Sequence, residues 1–280
     1  MTSENKGKYD ERNQLNDLTG KEWLKMTKSF MFSEKCKEDK DAFNHPAPFL
    51  IKDIEKLITM FTKSRMTVLD PFAGSGTTLI AAYKNNRKSI GIDLNSSYKD
   101  LAASRFKKSE IEIQYSDDVN YILGDSLEEL ENIPQVDYIV TSPPYHNILK
   151  NKGNGIRDDR SKKGYRNGSR QGIEFYSEEE KDLGNKETYE EFLNSFSEIM
   201  NKAYEKLNEK KYCSIVISDF TVNKKEISVH SDIIKIMENI GYEFVGTIVL
   251  LQDNKPLFPF GYPYAFKINH MHQNIINFRK

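Results

Sequence analysis

The feature that most constrains this chain is a recurrence. Short apolar runs end on an acid or a polar residue and lead, one after another, into stretches of helical spacing. Thr67-Val68-Leu69-Asp70 reads as a short buried strand, Gly74-Ser75-Gly76 as a turn and 77–87 (TTLIAAYKNNR) as a helix. Ser89-Ile90-Gly91-Ile92-Asp93 repeats the strand, followed by a helix over 96–108. Tyr121 to Asp125 is a third strand and Asp137 to Thr141 a fourth. Helical spacing returns at 188–208, 212–219 (YCSIVISD) is a fifth strand, and 229–240 is another helix. The runs 244–252 (FVGTIVLLQ) and 274–278 (NIINF) form a final pair. Parallel neighbours need long crossovers, so the alternation implies an α/β fold, a parallel sheet with helices on both faces. The terminal pair, with no helix between its members, adds an antiparallel hairpin.

The remainder fits one domain. Residues 1–44 read as a polar, docking segment, frayed to about residue 20 and then carrying Trp23, Leu24, Met26, Phe30, Met31 and Phe32 toward a core. Residues 45–280 form the main domain, with a helix at 49–62 (FLIKDIEKLITMFT) and a long polar loop inserted at 146–186. A connection rich in proline and aromatic residues spans 253–267. No apolar run reaches the ~18 residues of a membrane span, and the N-terminus lacks the apolar stretch of a secretory signal. Cys36 and Cys213 lie far apart without CxxC spacing, so they read as buried thiols in a reducing compartment, the cytoplasm. His270 and His272 lack further ligands around them, and no metal is expected. Net charge is −1, so any nucleic-acid contact must come from local patches.

The turn Asp70-Pro71-Phe72-Ala73-Gly74-Ser75-Gly76-Thr77 sits between a strand and a helix. Small residues there let the backbone approach a ligand beside the positive end of a helix. It is neither a dinucleotide-binding nor a P-loop motif: Leu79 stands where the third glycine of G-x-G-x-x-G belongs, and no Gly-Lys-Ser/Thr is present. Asp93, with Leu94 after it, ends the next strand about 17 residues beyond Gly76, where an acid accepts bonds from both hydroxyls of a ribose. Asp125, placed at the end of the third strand, is positioned to face an adenine amino group. Ligands of open α/β sheets bind at those strand ends.

The fourth strand runs into Thr141-Ser142-Pro143-Pro144-Tyr145. Two prolines after a strand stop sheet pairing and stiffen the backbone, holding the Pro143 carbonyl in one direction. Ser142 adds a hydroxyl acceptor and Tyr145 a flat face. The group reads either as a cup for a planar ring bearing an amino group or as a rigid turn with a packed tyrosine.

DPFAGSGT together with TSPPY resembles the amino-methylating (cytosine-N4 or adenine-N6) DNA methyltransferases, whose motifs I and IV read this way. Asn44-His45-Pro46-Ala47-Pro48-Phe49 resembles the family's motif X, and 271–280 resembles the end of its catalytic domain. The order X, I, IV looks like a circular permutation of the branch in which IV comes first. The resemblance implies a Rossmann-like S-adenosylmethionine-dependent methyltransferase fold, with a mostly parallel seven-stranded sheet and a reversed last strand. It implies S-adenosylmethionine as cofactor, with His45 and Pro46 closing over its methionine end. It also implies that Ser142 and the Pro143 carbonyl accept hydrogen bonds from the base's amino group, favouring a pyramidal nitrogen ready to take a methyl group. The base must leave the duplex, with Tyr145 as stacking partner. Ser142 favours cytosine N4, since the family's adenine enzymes usually carry Asp or Asn at that position. Adenine N6 is the alternative, followed by an RNA base methyltransferase or a non-catalytic cofactor-binding subunit. DNA is the expected partner, besides a restriction endonuclease or a second subunit. Lys150, Lys152, Arg157, Arg160, Lys162, Lys163, Arg166 and Arg170 stand against only Asp158 and Asp159 in the loop after TSPPY, which suits phosphates. The acidic segment 174–191 is expected to face away.

Overall fold

The computed structural model describes residues 7–45, 48–109, 118–146, 177, 179–222, 225–253 and 255–280. Its elements run α1 (Gly20–Met26), β1 (Phe30–Phe32), α2 (Ile51–Phe61), β2 (Thr67–Asp70), α3 (Thr77–Lys84), β3 (Lys88–Asp93), α4 (Ser96–Lys108), β4 (Val119–Leu123), α5 (Ser126–Glu129), β5 (Val136–Thr141), α6 (Tyr189–Lys206), β6 (Leu207–Ile217), β7 (Phe220–Val222), β8 (Lys225–Ile227), α7 (Val229–Ile240), β9 (Glu243–Leu251) and β10 (His272–Arg279). The main sheet has the order β1-β9-β10-β6-β5-β2-β3-β4. β10 runs antiparallel to β6 and β9, and the other pairs are parallel. The mostly parallel sheet with a reversed last strand therefore forms as the sequence implies, with one strand more than the expected seven. The extra strand is β1, whose Phe30–Phe32 pairs with Val249–Leu251 at the edge.

Both faces of the sheet are covered, and the strand period of two divides the core. Leu69, Ile139, Ile215, Ile217, Ile276 and Phe278 pack toward Phe192, Phe196 and Met200 of α6 and Ile233 and Met237 of α7. Their neighbours Val68, Tyr138, Val140, Val216 and Ile275 pack the other way, toward Ile54, Leu57 and Ile58 of α2 and Leu79 and Ile80 of α3.

Part of the stretch expected to be frayed packs against the domain. Asn16 is buried and donates from Nδ2 to the Met60 carbonyl at 2.7 Å, and Asp17 accepts from Arg87 Nη2 at 3.0 Å. The third strand ends at Leu123, two residues before Asp125, which instead caps α5 by accepting the Leu127 N–H at 2.9 Å. Among the described residues, no helix is long and apolar enough to cross a membrane.

Candidate active site

Strand order reverses at β2: β3 and β4 lie on one side, β5 and β6 on the other. At such a switch point the loops leave in opposite directions and open a crevice at the carboxyl ends. An open cleft of about 620 Å³ lies there. Its walls come from segments distant in sequence. Pro71 and Phe72 follow β2, and Asp93 ends β3 with Leu94 after it. Asp125 and Ser126 follow β4, and Ser142, Pro143 and Pro144 follow β5. His45 closes one side. Lys181, Asp182 and Leu183 contribute as well, with Tyr98 of α4 and Ile199 of α6. The acidic segment expected to face away thus forms part of the cleft wall.

The other residues of the glycine turn shape the cleft from behind. Asp70 is fully buried: it accepts Thr141 Oγ1 at 2.6 Å, Thr78 Oγ1 at 2.5 Å and the Phe72 N–H at 3.1 Å. These bonds tie the end of β2 to the end of β5 and the start of α3. Burial pushes the Asp70 carboxyl up to about 6 even so. Gly74 has φ +48°, and a Cβ there would lie 3.1 Å from His45 Nε2. Its N–H donates to Asp93 Oδ2 at 2.8 Å, and its carbonyl accepts Tyr121 Oη at 2.7 Å. Ala73 is anchored to the Ile92 carbonyl at 2.9 Å. Arg105 of α4 is buried beneath the turn. Its Nη1 donates to the Ser75 carbonyl at 2.7 Å, to Ser75 Oγ at 2.9 Å and to Thr77 Oγ1 at 2.8 Å. Gly76 comes so close to α4 that a Cβ would meet Ala102 and Phe106 at 2.9 Å.

Asp93 also accepts the Asn95 N–H on Oδ1 at 2.9 Å. Burial, with Asp182 and Asp70 nearby, pushes its carboxyl up to about 7 against the pull of those two N–H groups. Asp125 approaches Lys181 Nζ at 3.4 Å. Asp182 is held by Ser177 Oγ at 2.7 Å and the Gly184 N–H at 2.8 Å. Tyr145 does not line the cleft: it is 7% exposed, and its hydroxyl accepts the Ser218 N–H at 3.2 Å and Gln273 Nε2 at 2.9 Å. Pro46 and all eight basic residues of the 150–170 loop lie outside the described residues.

Sequence reasoning missed Lys181, Asp182, Leu183 and Arg105. The first three sit in a polar stretch without period. Arg105 looks like an ordinary cation in the last turn of a helix. Only the tertiary fold brings them to the site.

The fold is the Rossmann-like S-adenosylmethionine-dependent methyltransferase fold. Two solved structures share the fold: TrmN from Thermus thermophilus (TM-score 0.51, 15% identity, 87% of this chain and 52% of that one) and the precorrin 8w decarboxylase of Methanobacterium thermoautotrophicum (TM-score 0.51, 12% identity, 89% and 96%). The family model described as DNA methylase matches residues 2–104 and 136–280, and the chain belongs to that family. It is similar to the orphan methyltransferase M.BamHII of Bacillus amyloliquefaciens, 45% identical over 74 residues, or 26% of this chain and 28% of that one. It is also similar to the type II methyltransferase M2.DpnII of Streptococcus pneumoniae, 36% identical over 99 residues, or 35% of each. The chain thus aligns with about a third or less of the length of these relatives. S-adenosylmethionine is its cofactor. The cleft fits it: carboxylates at Asp93 and Asp125 suit ribose and amino donors, and Phe72, Leu94 and Leu183 offer apolar walls to a flat ring.

Proposed function

We propose that this chain transfers a methyl group from S-adenosylmethionine to the exocyclic amino group of a base flipped out of DNA. Cytosine N4 is the favoured target and adenine N6 the second reading. One observation carries the proposal: Ser142, Pro143 and Pro144 wall the same cleft as Asp93 and Asp125. Acceptors suited to a base amine and acceptors suited to a ribose therefore face one space.

S-adenosylmethionine, when bound, supplies a methyl group activated by a positively charged sulfur. Asp93 holds the ribose: each of its oxygens accepts one backbone N–H and keeps a lone pair for a hydroxyl. Asp125 receives the adenine amino group, and His45 covers the methionine end, with Pro46 assigned beside it. Ser142 Oγ and the Pro143 carbonyl accept the two N–H bonds of the target amine, which localises the nitrogen lone pair. The rigid double proline fixes these acceptors before the base arrives, so most of the rate gain comes from positioning and fixed dipoles. Tyr145 is assigned to stack on the base. Its ring is covered in the structure, so stacking requires DNA binding to uncover it, while its pinned hydroxyl sets the ring plane. Lys150, Lys152, Arg157, Arg160, Lys162, Lys163, Arg166 and Arg170 are assigned to phosphates on their charge alone.

Ser142→Ala tests the core of this reading. It removes an acceptor used mainly in the transition state, so kcat should fall at least about tenfold, the effect of one lost hydrogen bond to developing charge, while affinity for S-adenosylmethionine holds. An unchanged kcat would take Ser142 out of the chemistry.

A further inference from the structure

The connection between β9 and β10 leaves the sheet at the same edge as the Pro-Pro-Tyr turn. β9 is antiparallel to β10, and β10 is antiparallel to β6, so Leu251 ends at the carboxyl edge where β5 also ends. Two hydrogen bonds join the foot of this connection to the active site. Gln252 Nε2 donates to Gln273 Oε1 at 3.0 Å, and Gln273 Nε2 donates to the Tyr145 hydroxyl at 2.9 Å.

The loop above that foot is built and closed on itself. Phe258 N–H donates to Asn269 Oδ1 and Asn269 Nδ2 donates back to the Phe258 carbonyl, both at 2.9 Å. At its tip, Gly261 has φ +75° and its carbonyl accepts the N–H of Tyr264 at 2.8 Å and of Ala265 at 2.7 Å. A Cβ at Gly261 would lie 2.3 Å from the Ala265 carbonyl oxygen, so only glycine makes this turn. The closed shape turns its aromatic rings outward: Tyr262 is 78% exposed, Tyr264 95% and Phe266 91%. Exposed apolar rings on a loop closed by its own hydrogen bonds mark a binding surface. No acid occurs from residue 254 to the end of the chain, although the whole chain carries net charge −1, and Lys255 and Lys267 flank the rings. Aromatic faces flanked by two lysines, on a loop that itself carries no acid, suit stacked bases under a phosphate backbone.

We propose that the 255–268 loop is a wedge for double-stranded DNA, with Tyr264 and Phe266 entering the stack beside the flipped nucleotide. The inference rests on the DNA-methylating reading above. It assigns the element that holds the duplex open while the Pro-Pro-Tyr turn receives the base. The chain of bonds through Gln273 connects the foot of the wedge to Tyr145, so stack opening and base capture share one support.

The test uses the full chain and the double variant Tyr264→Ala/Phe266→Ala. Three quantities are read: affinity for unmethylated duplex DNA from a plasmid, the salt dependence of that affinity, and transfer of labelled methyl groups to it. Base-on-aromatic stacking predicts affinity weaker by about tenfold or more. The salt slope should stay the same, because every cation that meets a phosphate is still present. A mispaired target, already easy to flip, should restore much of the lost transfer. Affinity for S-adenosylmethionine should be unchanged, and Tyr264→Trp/Phe266→Tyr, which keeps the stacking faces, should bind DNA like the parent. Unchanged DNA affinity in the alanine variant would overturn the wedge, as would a defect fully accounted for by loss of self-association in sedimentation. A parent chain that binds duplex DNA through these rings but transfers no label would overturn the methylation reading and leave the wedge standing.

Discussion

Asp93 concentrates the demands of function on one side chain. Asp93→Ala should weaken S-adenosylmethionine binding by ~1–3 kcal/mol, the cost of leaving polar partners unpaired, read by calorimetry; equal affinity would remove Asp93 from the ribose site. The pH dependence follows from the carboxyl pushed up to about 7. Only the ionised form accepts from both ribose hydroxyls, so affinity should rise between about pH 6 and 8 and then level off. Asp93→Asn should flatten that profile. Folding has the opposite sign. A carboxyl raised in the folded state holds a proton that the unfolded chain has released, so its contribution to stability is full below the ordinary carboxylate range and is lost as pH rises through about 7. Asp70 and Asp53, both raised to about 6 by burial, act in the same direction. Thermal scans of the cofactor-free chain should show the melting temperature falling from pH 5 to 7.5, less steeply in Asp93→Asn. A melting temperature that rises over that interval would contradict the burial of these acids.

At the scale of elements, the turn between β2 and α3 is where sequence and structure agree most closely. Its glycines were legible because a positive φ and a close approach need glycine, and Gly74 and Gly76 show both. Its support was not legible. Arg105 lies in an amphipathic stretch of α4 where the pattern assigns it to solvent, yet it carries three bonds to the turn. Arg105→Met should therefore leave buried acceptors unpaired and lower stability by ~1–3 kcal/mol in denaturant unfolding, with weaker cofactor binding. Unaltered stability would make the bonds incidental. Gly74→Ala should likewise impair cofactor binding, since the new methyl meets the His45 ring. The boundary error at β4 has a local cause: Gly124 and Asp125 follow directly on an apolar run, but Asp125 is a strong helix cap, and capping ends the strand at Leu123. β1 escaped because three residues carry no period.

Across the whole molecule, the alternation of strands and helices was legible because the central parallel strands β2, β3 and β5 are buried on both faces and read as largely apolar runs. The meeting of distant segments was not, as with Asn16 on α2 and the 181–183 segment in the cleft wall. The charge distribution supports a prediction at this scale. Replacing Arg157, Lys162, Lys163 and Arg166 with Gln should weaken DNA binding and flatten its salt dependence, by a slope of about 0.9 for each phosphate no longer neutralised. An identical slope would mean that this loop is merely solvated. With a flattened slope, the loop and the aromatic wedge separate cleanly, one by salt slope and the other by affinity at constant slope.

The most direct test of the account is the identity of the methylated product. The chain is incubated with labelled S-adenosylmethionine and with separate DNA and RNA pools, and the nucleic acid is digested to nucleosides for mass spectrometry. The account predicts label in DNA, recovered as N4-methylcytosine. N6-methyladenine in DNA would reverse the choice of base while keeping the amino-group chemistry, whereas 5-methylcytosine, label in RNA alone, or no transfer would contradict the central claim.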